Sequence, residues 1–316
     1  MGRSLAKRFP WVAHGARAPI FGLRRLPRPP ELAERLERAR GLDPVAGRLA
    51  EAVRGRVPAG PRADALHGVW LGQPVHPALI GLPIGFWTSA AVLDFVPGSE
   101  RASRVLIALG LAGAAPTAAA GLADWSHLHR EQQRVGVIHA ASTTSSSVLF
   151  AASLLARSAG QQAQGRLLAL GGLATLTAGT YLGRHMAFTL GAGASHAEPV
   201  AHLAPLGWHD LCRIYDLPEG RLVRRRLGYL GLVVLRQGSD VLVLAERCAH
   251  LGGPLHQGTL VNGEQGPCVT CPWHGSTYRL TDGSVVHGPA TARQPAFDSR
   301  IIEGGMVQVR PSSPYS

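Results

Sequence analysis

The sequence predicts an α+β, multidomain chain of two unlike parts: an N-terminal four-helix transmembrane bundle and, after it, a small all-β domain. Three observations carry that prediction. Four stretches rich in Ala, Gly, Leu, Ser and Thr, each near the length of a membrane span, run between about His76 and Gly183. Beyond about Pro205 the texture changes to short Val- and Leu-rich runs parted by Gly and Pro, the pattern of antiparallel strands. Only 16% of the 316 residues are charged while 46% are hydrophobic, against roughly a quarter charged in soluble proteins.

Residues 1–64 form a basic, Arg- and Pro-rich segment. Met1 to Arg62 holds fourteen Lys and Arg against five acids, so much of the formal charge of +12 sits there. Within it "ELAERLERAR", Glu31 to Arg40, has the charge alternation of a short surface helix. No aromatic or Gly-rich recognition pattern accompanies the arginines, so a membrane face is expected rather than nucleic acid. No signal peptide is expected: the Arg24–Arg25 pair is followed by "LPRPPELAERLER", where an apolar segment would have to stand.

Residues 65–195 carry the spans, at about His76–Val96, Val105–Ala123, Val135–Ala156 and Leu167–Gly183. A helix needs about 17 to 25 apolar residues to cross the hydrocarbon core, and the fourth stretch is the marginal one. A soluble Ala-rich bundle would need charged faces at helical period, which these stretches lack. Small residues let helices approach closely in lipid, and the short connections "PGSERASR", "DWSHLHREQQR" and "RSAGQQAQGR" imply an up-down-up-down order. The basic flank places the N-terminus in the cytoplasm, and an even number of spans returns the C-terminal domain to the same side of the cell membrane.

A linker is expected at 196–204, the β domain at 205–312 and a tail at 313–316. "RLVRRRLGYLGLVVLRQGSDVLVLAERC" reads as strands joined by tight turns, with more strands around "CVTC", "STYRL", "SVVHG" and "MVQVRP".

Four cysteines, Cys212, Cys248, Cys268 and Cys271, do not make a disulfide framework. Two of them belong to "CAHLGGPLHQG", Cys248 to Gly258, and "CPWHGSTY", Cys271 to Tyr278. Two thiolates and two imidazoles can hold a tetrahedral zinc. One Cys and one His from each loop also suits a 2Fe–2S cluster in which two Cys hold one iron and two His the other. The two loops resemble the cluster-binding loops of the Rieske family, and the resemblance runs from about Leu206 to Arg310 through "DLPEG" and "GPA". It implies that Cys248 and Cys271 ligate one iron and His250 and His274 the other. By the same resemblance, Ser276 and Tyr278 donate to cluster sulfurs and raise the potential. Gly253 and Trp273 stand where the Rieske subunits of cytochrome bc complexes carry a disulfide, so none is expected here. Cys212, Cys268, His256 and His287 fall outside the ligand pattern.

The stretches "LHGVWLGQPVHPALIGLPIGFW", "GLADW" and "GTYLGRHM" resemble a bacterial four-helix membrane family with an HP motif, which brings no established activity. An up-down-up-down order gathers His76, Asp124, His127, His129, His139 and His185 at one membrane face. Haem b at a His76/His139/His185 site, or a quinone site, is one expectation for that face, and a plain hydrogen-bond network organised by Asp124 is the other. The expected function is a membrane-anchored carrier of single electrons, with lipid, redox donor and acceptor proteins or quinone as partners. The alternative is an electron-transfer component of a Rieske-type oxygenase or of a quinone- or haem-linked membrane oxidoreductase. Only a few residues follow Arg310, so a mononuclear-iron catalytic site would fall to another chain.

Overall fold

The computed structural model describes residues 28–312; the Arg24–Arg25 pair and the 313–316 tail lie outside them. Three short helices open the described chain: α1 (Pro29–Glu37), α2 (Asp43–Arg56) and α3 (Pro61–His67), each with Pro in its first turn, where the missing N–H is no loss. One helix was expected here. The other two present alanines rather than a bulky apolar stripe, and Ala46 and Ala50 bury against Trp125. Ala33 of α1 packs on Val135 and Leu182. Arg134 clamps the segment down, bonding Asp43 Oδ1 at 2.6 Å and Oδ2 at 2.9 Å and the Glu37 carbonyl at 2.6 Å.

The bundle follows as α4 (Val75–Leu79) running on into α5 (Gly81–Leu93), then α6 (Glu100–Trp125), α7 (Arg130–Ser158) and α8 (Gln162–Phe188). Three of these units, Val75–Leu93, α6 and α7, are long and apolar enough to cross a membrane. α8 has the length, at 27 residues, but not the apolarity expected of a fourth span. Gln162, Gln164 and Arg166 open it, Arg184 and His185 close it, and Gly and Thr fill much of the middle. It is held by close backbone approach to α7. His139 Nδ1, Ser146 Oγ and Ser153 Oγ, seven residues apart, donate to the carbonyls of Gly179, Gly172 and Gly165 at 2.7, 2.8 and 2.6 Å.

The two hairpins, α4–α5 with α6 and α7 with α8, repeat one another. His76 Nδ1 donates to the Thr117 carbonyl at 2.9 Å and lies over Gly121. His139 does the same to Gly179 and lies over Gly183. Eleven residues on, Trp87 fills the space above Gly110 and Phe150 that above Gly172. Counterparts also meet across the bundle. The rings of His76 and His139 are 6.4 Å apart between centroids, and those of Trp87 and Phe150 stack at 4.3 Å and 11°. Asp94 and Arg157 form a two-pronged ion pair at 2.6 and 2.7 Å. His76 to His139, Trp87 to Phe150 and Asp94 to Arg157 are each 63 positions apart. Residues that touch their own counterparts lie on a pseudo-two-fold axis, here running along the bundle.

The C-terminal part is two antiparallel sheets. The first contains β1 (His209–Arg213), β2 (Leu222–Leu227), β3 (Leu230–Gln237), β4 (Asp240–Ala245), β9 (Ala296–Ile302) and β10 (Met306–Pro311), in the order β1-β10-β9-β4-β3-β2. The second contains β5 (Thr259–Gly263), β6 (Gly266–Thr270), β7 (Thr277–Arg279) and β8 (Val285–His287), in chain order. β3 explains why the sheets stack. Its side chains alternate between two cores, Val233 and Leu235 facing one and Leu232 and Val234 the other, and all four are fully buried. At about 1.5–3 kcal/mol per buried aliphatic side chain, this strand anchors both layers. The 196–204 segment is packed rather than loose: His196 N–H donates to the Ala249 carbonyl at 2.8 Å, and Ala197 and Val200 enter the two cores.

Candidate functional site

Two loops meet at one end of the second sheet: 246–258 between β4 and β5, and 271–276 between β6 and β7. They fold alike. The Cys248 N–H donates to the Gly253 carbonyl at 2.9 Å, and the Gly252 N–H returns to Cys248 O at 2.8 Å. In the second loop Cys271 N–H reaches Ser276 O at 2.8 Å, and Gly275 N–H reaches Cys271 O at 3.1 Å. Each reversal needs a positive φ four residues after the cysteine. Gly252 and Gly275 supply it, at 75° and 81°.

The loops bring two thiols and two imidazoles together. Cys248 and Cys271 are buried, and all four cysteines are free thiols. A hydrogen bond between the two thiols pushes Cys248 well above the ordinary thiol range and draws Cys271 down to about 7. The His250 and His274 rings lie 5.1 Å apart. Burial holds both neutral at pH 7, His274 down at about 4 and His250 well below its usual value, as metal ligation requires. His250 Nδ1 is buried with no hydrogen-bond partner among the described residues, the state of a nitrogen reserved for a metal. Sulfur meets sulfur and nitrogen meets nitrogen, yet no three of the His, Cys, Asp or Glu donors gather around one point among the described residues. That division disfavours a single tetrahedral zinc and suits a binuclear centre with one iron at each pair.

The surroundings are buried and tied by hydrogen bonds. Tyr278, fully buried, places Oη 3.1 Å from Cys248 Sγ. Ser276 Oγ accepts from the Ala290 N–H at 3.0 Å. Buried Gln294, which sequence reading missed, accepts from Ala249 N–H and donates to the carbonyls of Ala245 and Arg247 at 2.7 to 2.9 Å. A Cβ on Gly253 would stand 2.7 Å from Cys271 Sγ, so this position has no room for a side chain. Cys268 is buried with its thiol on the Gly266 carbonyl, and His256 pairs with Glu246 at 2.7 Å.

The helical part covers the histidine edge. His129, which starts α7, lies 5.6 Å from the His274 ring and 5.5 Å from Trp273, and His127 lies 6.4 Å from His274. His67 continues the row, 5.5 Å from His127, and donates through Nδ1 to Asp124 at 2.7 Å. Burial lowers His127 to about 4. A cavity of about 590 Å³ opens here, lined by Arg54, His127, His129, Arg130, Trp273 and His274 among others. The two parts are pinned by Asp64, which accepts from His287 Nδ1 at 2.9 Å and Gly288 N–H at 2.8 Å. The contact of His67 with this array carries no local signal in the sequence.

The three membrane histidines do not form one site. His185 Nε2 is spent on Glu37 Oε1 at 2.7 Å, because α1 lies over that end of α8. His76 and His139 alone face one another.

Residues 207–298 match the Rieske [2Fe-2S] domain model, and residues 72–196 match that of a predicted membrane protein family, DUF2231. The human protein "Apoptosis-inducing factor 3" is 29% identical over 102 residues, 32% of this chain but 16% of that protein. A human "Rieske domain-containing protein" is 32% identical over 62 residues, 20% of this chain and 40% of that one. The chain thus spans less than half the length of these relatives. The ferredoxin of carbazole 1,9a-dioxygenase from Nocardioides aromaticivorans IC177 aligns over 33% of this chain and 98% of its own, at 20% identity and a TM-score of 0.30. The chain thus carries a Rieske [2Fe-2S] domain over residues 207–298 and a DUF2231 domain over residues 72–196.

Proposed function

We propose that this chain is a membrane-anchored carrier of single electrons, with its Rieske domain at the cytoplasmic face. Cys248 and Cys271 hold one iron through thiolates, and His250 and His274 hold the other through imidazole nitrogens. When bound, the 2Fe–2S cluster supplies one reversible electron. The chain's own residues tune and aim it. The Tyr278 hydroxyl is placed to donate to Cys248 Sγ, which favours the more negative, reduced state. Gln294 locks the first loop by three hydrogen bonds. The observation that carries the reading is the sorted donor set, thiol beside thiol and imidazole beside imidazole, with His250 Nδ1 buried and without a partner among the described residues.

Membrane anchoring is supported by the three apolar helical units and the DUF2231 match. The cytoplasmic face rests on the basic flank, whose helices α1 and α2 pack on the bundle end that also meets the Rieske domain. One observation favours a second reading, a quinone-linked oxidoreductase. The imidazole edge opens on the 590 Å³ cavity with Arg54 and Arg130 in its wall, which suits a small acceptor bound between the two parts.

The full-length protein, purified from membranes in detergent, tests the ligand assignment. Equal amounts of iron and acid-labile sulfide are expected, with the EPR signal of mixed Cys/His ligation, changed or lost in His250→Cys and His274→Cys. Stoichiometric zinc without labile sulfide would overturn it.

A further inference from the structure

The DUF2231 bundle holds a second candidate redox site, separate from the cluster loops. His76 and His139 are counterparts in the internal repeat, and they meet on its pseudo-two-fold axis with ring centroids 6.4 Å apart. Each is oriented identically. Its Nδ1–H is spent on a helix carbonyl, Thr117 for one and Gly179 for the other. That fixes the tautomer and leaves the lone pair on Nε2. Neither Nε2 has a hydrogen-bond partner among the described residues. Each ring has its place kept by a glycine, since a Cβ on Gly121 would stand 2.6 Å from His76 and one on Gly183 3.1 Å from His139. Both rings are half-buried and neither Nε2 is sealed in the core, so a ligand can reach both lone pairs.

The separation points to one. Imidazoles on opposite sides of a single ion, each with a metal–nitrogen bond of about 2.0–2.1 Å, put their centroids roughly 6 Å apart. No third His, Cys, Asp or Glu joins the pair among the described residues. A bare zinc or iron ion would be left short of ligands there. An iron that brings four equatorial nitrogens of its own needs only two axial ligands from the protein. We infer that His76 and His139 are the axial ligands of a haem iron on the pseudo-two-fold axis of the bundle.

The other axial layers support the position. Trp87 with Phe150 and Asp94 with Arg157 close the axis beyond the histidines, about 16 Å and 27 Å further along at 1.5 Å per helical residue. The histidine layer is therefore the one nearest the Rieske domain. His139 stands about 15 Å along α7 from His129, the residue beside His274.

The test is made on full-length protein purified from haem-replete cells, by pyridine haemochrome content and reduced-minus-oxidised visible spectra. Wild type is expected to hold one haem per chain with the spectrum of a six-coordinate, low-spin iron. His76→Ala and His139→Ala should each lower haem content by about tenfold or more, with labile sulfide and the cluster EPR signal retained. Those two readouts show that the variants fold, and they fail independently if the cluster assignment is wrong. His139→Met should retain haem with a shifted spectrum, because thioether also ligates haem iron. His185→Ala should leave content and spectrum unchanged. Wild-type protein without porphyrin, porphyrin that survives both alanine substitutions, or a porphyrin-free metal at the pair would each overturn the assignment.

Discussion

Tyr278→Phe isolates a single hydrogen bond to the cluster. The ring is fully buried among Cys248, Leu255, Val269 and Leu280, and the substitution removes one oxygen while keeping the packing. Oη lies 3.1 Å from Cys248 Sγ. Burial raises the phenol well above its ordinary range, so it remains a donor. Sulfur on a reduced cluster carries more negative charge than on an oxidised one, so the bond is stronger in the reduced state. A hydrogen bond to a charged group contributes about 1.5–3 kcal/mol, and the difference between the two oxidation states is put at about 1–2 kcal/mol of this. For one electron, 59 mV corresponds to about 1.4 kcal/mol, so the midpoint should fall by about 40–90 mV. Redox titration followed by EPR, on wild type and variant with equal labile sulfide, reads the shift. A change below about 15 mV, or about 0.35 kcal/mol, would refute the premise that this hydroxyl acts on the cluster. Ser276→Ala is a less clean probe. It also strands the Ala290 N–H, whose partner is Ser276 Oγ, at an added stability cost of about 1–3 kcal/mol.

Two further outcomes are expected. Asp94→Ala leaves Arg157, whose side chain is fully buried, without its carboxylate. It should destabilise the bundle by about 3–5 kcal/mol, and Asp94→Ala with Arg157→Leu should recover most of that in detergent melting, since removing both charges leaves neither stranded. A green fluorescent reporter fused after Ser316 should fluoresce, and alkaline phosphatase at the same point should be inactive; the reverse pattern would place the Rieske domain outside the cytoplasm.

The cluster loops were legible because their chemistry is local. Each donor pair lies within four residues, and the turn that presents it needs only a glycine four positions after the cysteine. The cover over His274 was only partly legible. Helix order gathers His127 and His129 at one membrane face, but their approach to His274 depends on Asp64 reaching the His287–Gly288 turn, more than two hundred residues away. No spacing rule reports such a contact. The fourth span was legible only as a marginal one, for a different reason. In lipid, helices associate by close backbone approach, so the Gly and Ser ladder that binds α8 to α7 also lowers the apolarity by which a span is recognised.

The internal repeat shows most clearly what hydropathy conceals. "VHPALIGLPIGFW" and "IHAASTTSSSVLF" share little beyond a histidine and an aromatic, because small residues facing lipid or a neighbouring backbone interchange freely. Only the positions on the axis are constrained, since there each residue meets its own counterpart. The constraint differs from layer to layer. At the far end, equal charges would repel, and the counterparts are Asp94 and Arg157. In the middle, stacking requires only two flat rings, and Trp87 meets Phe150. At the end nearest the Rieske domain both residues are histidine, each with Nδ1 bound to a carbonyl and Nε2 without a partner among the described residues. Shape alone would be met by many pairs of side chains. Two identical imidazoles meeting on that axis fit the haem ligation inferred for the bundle.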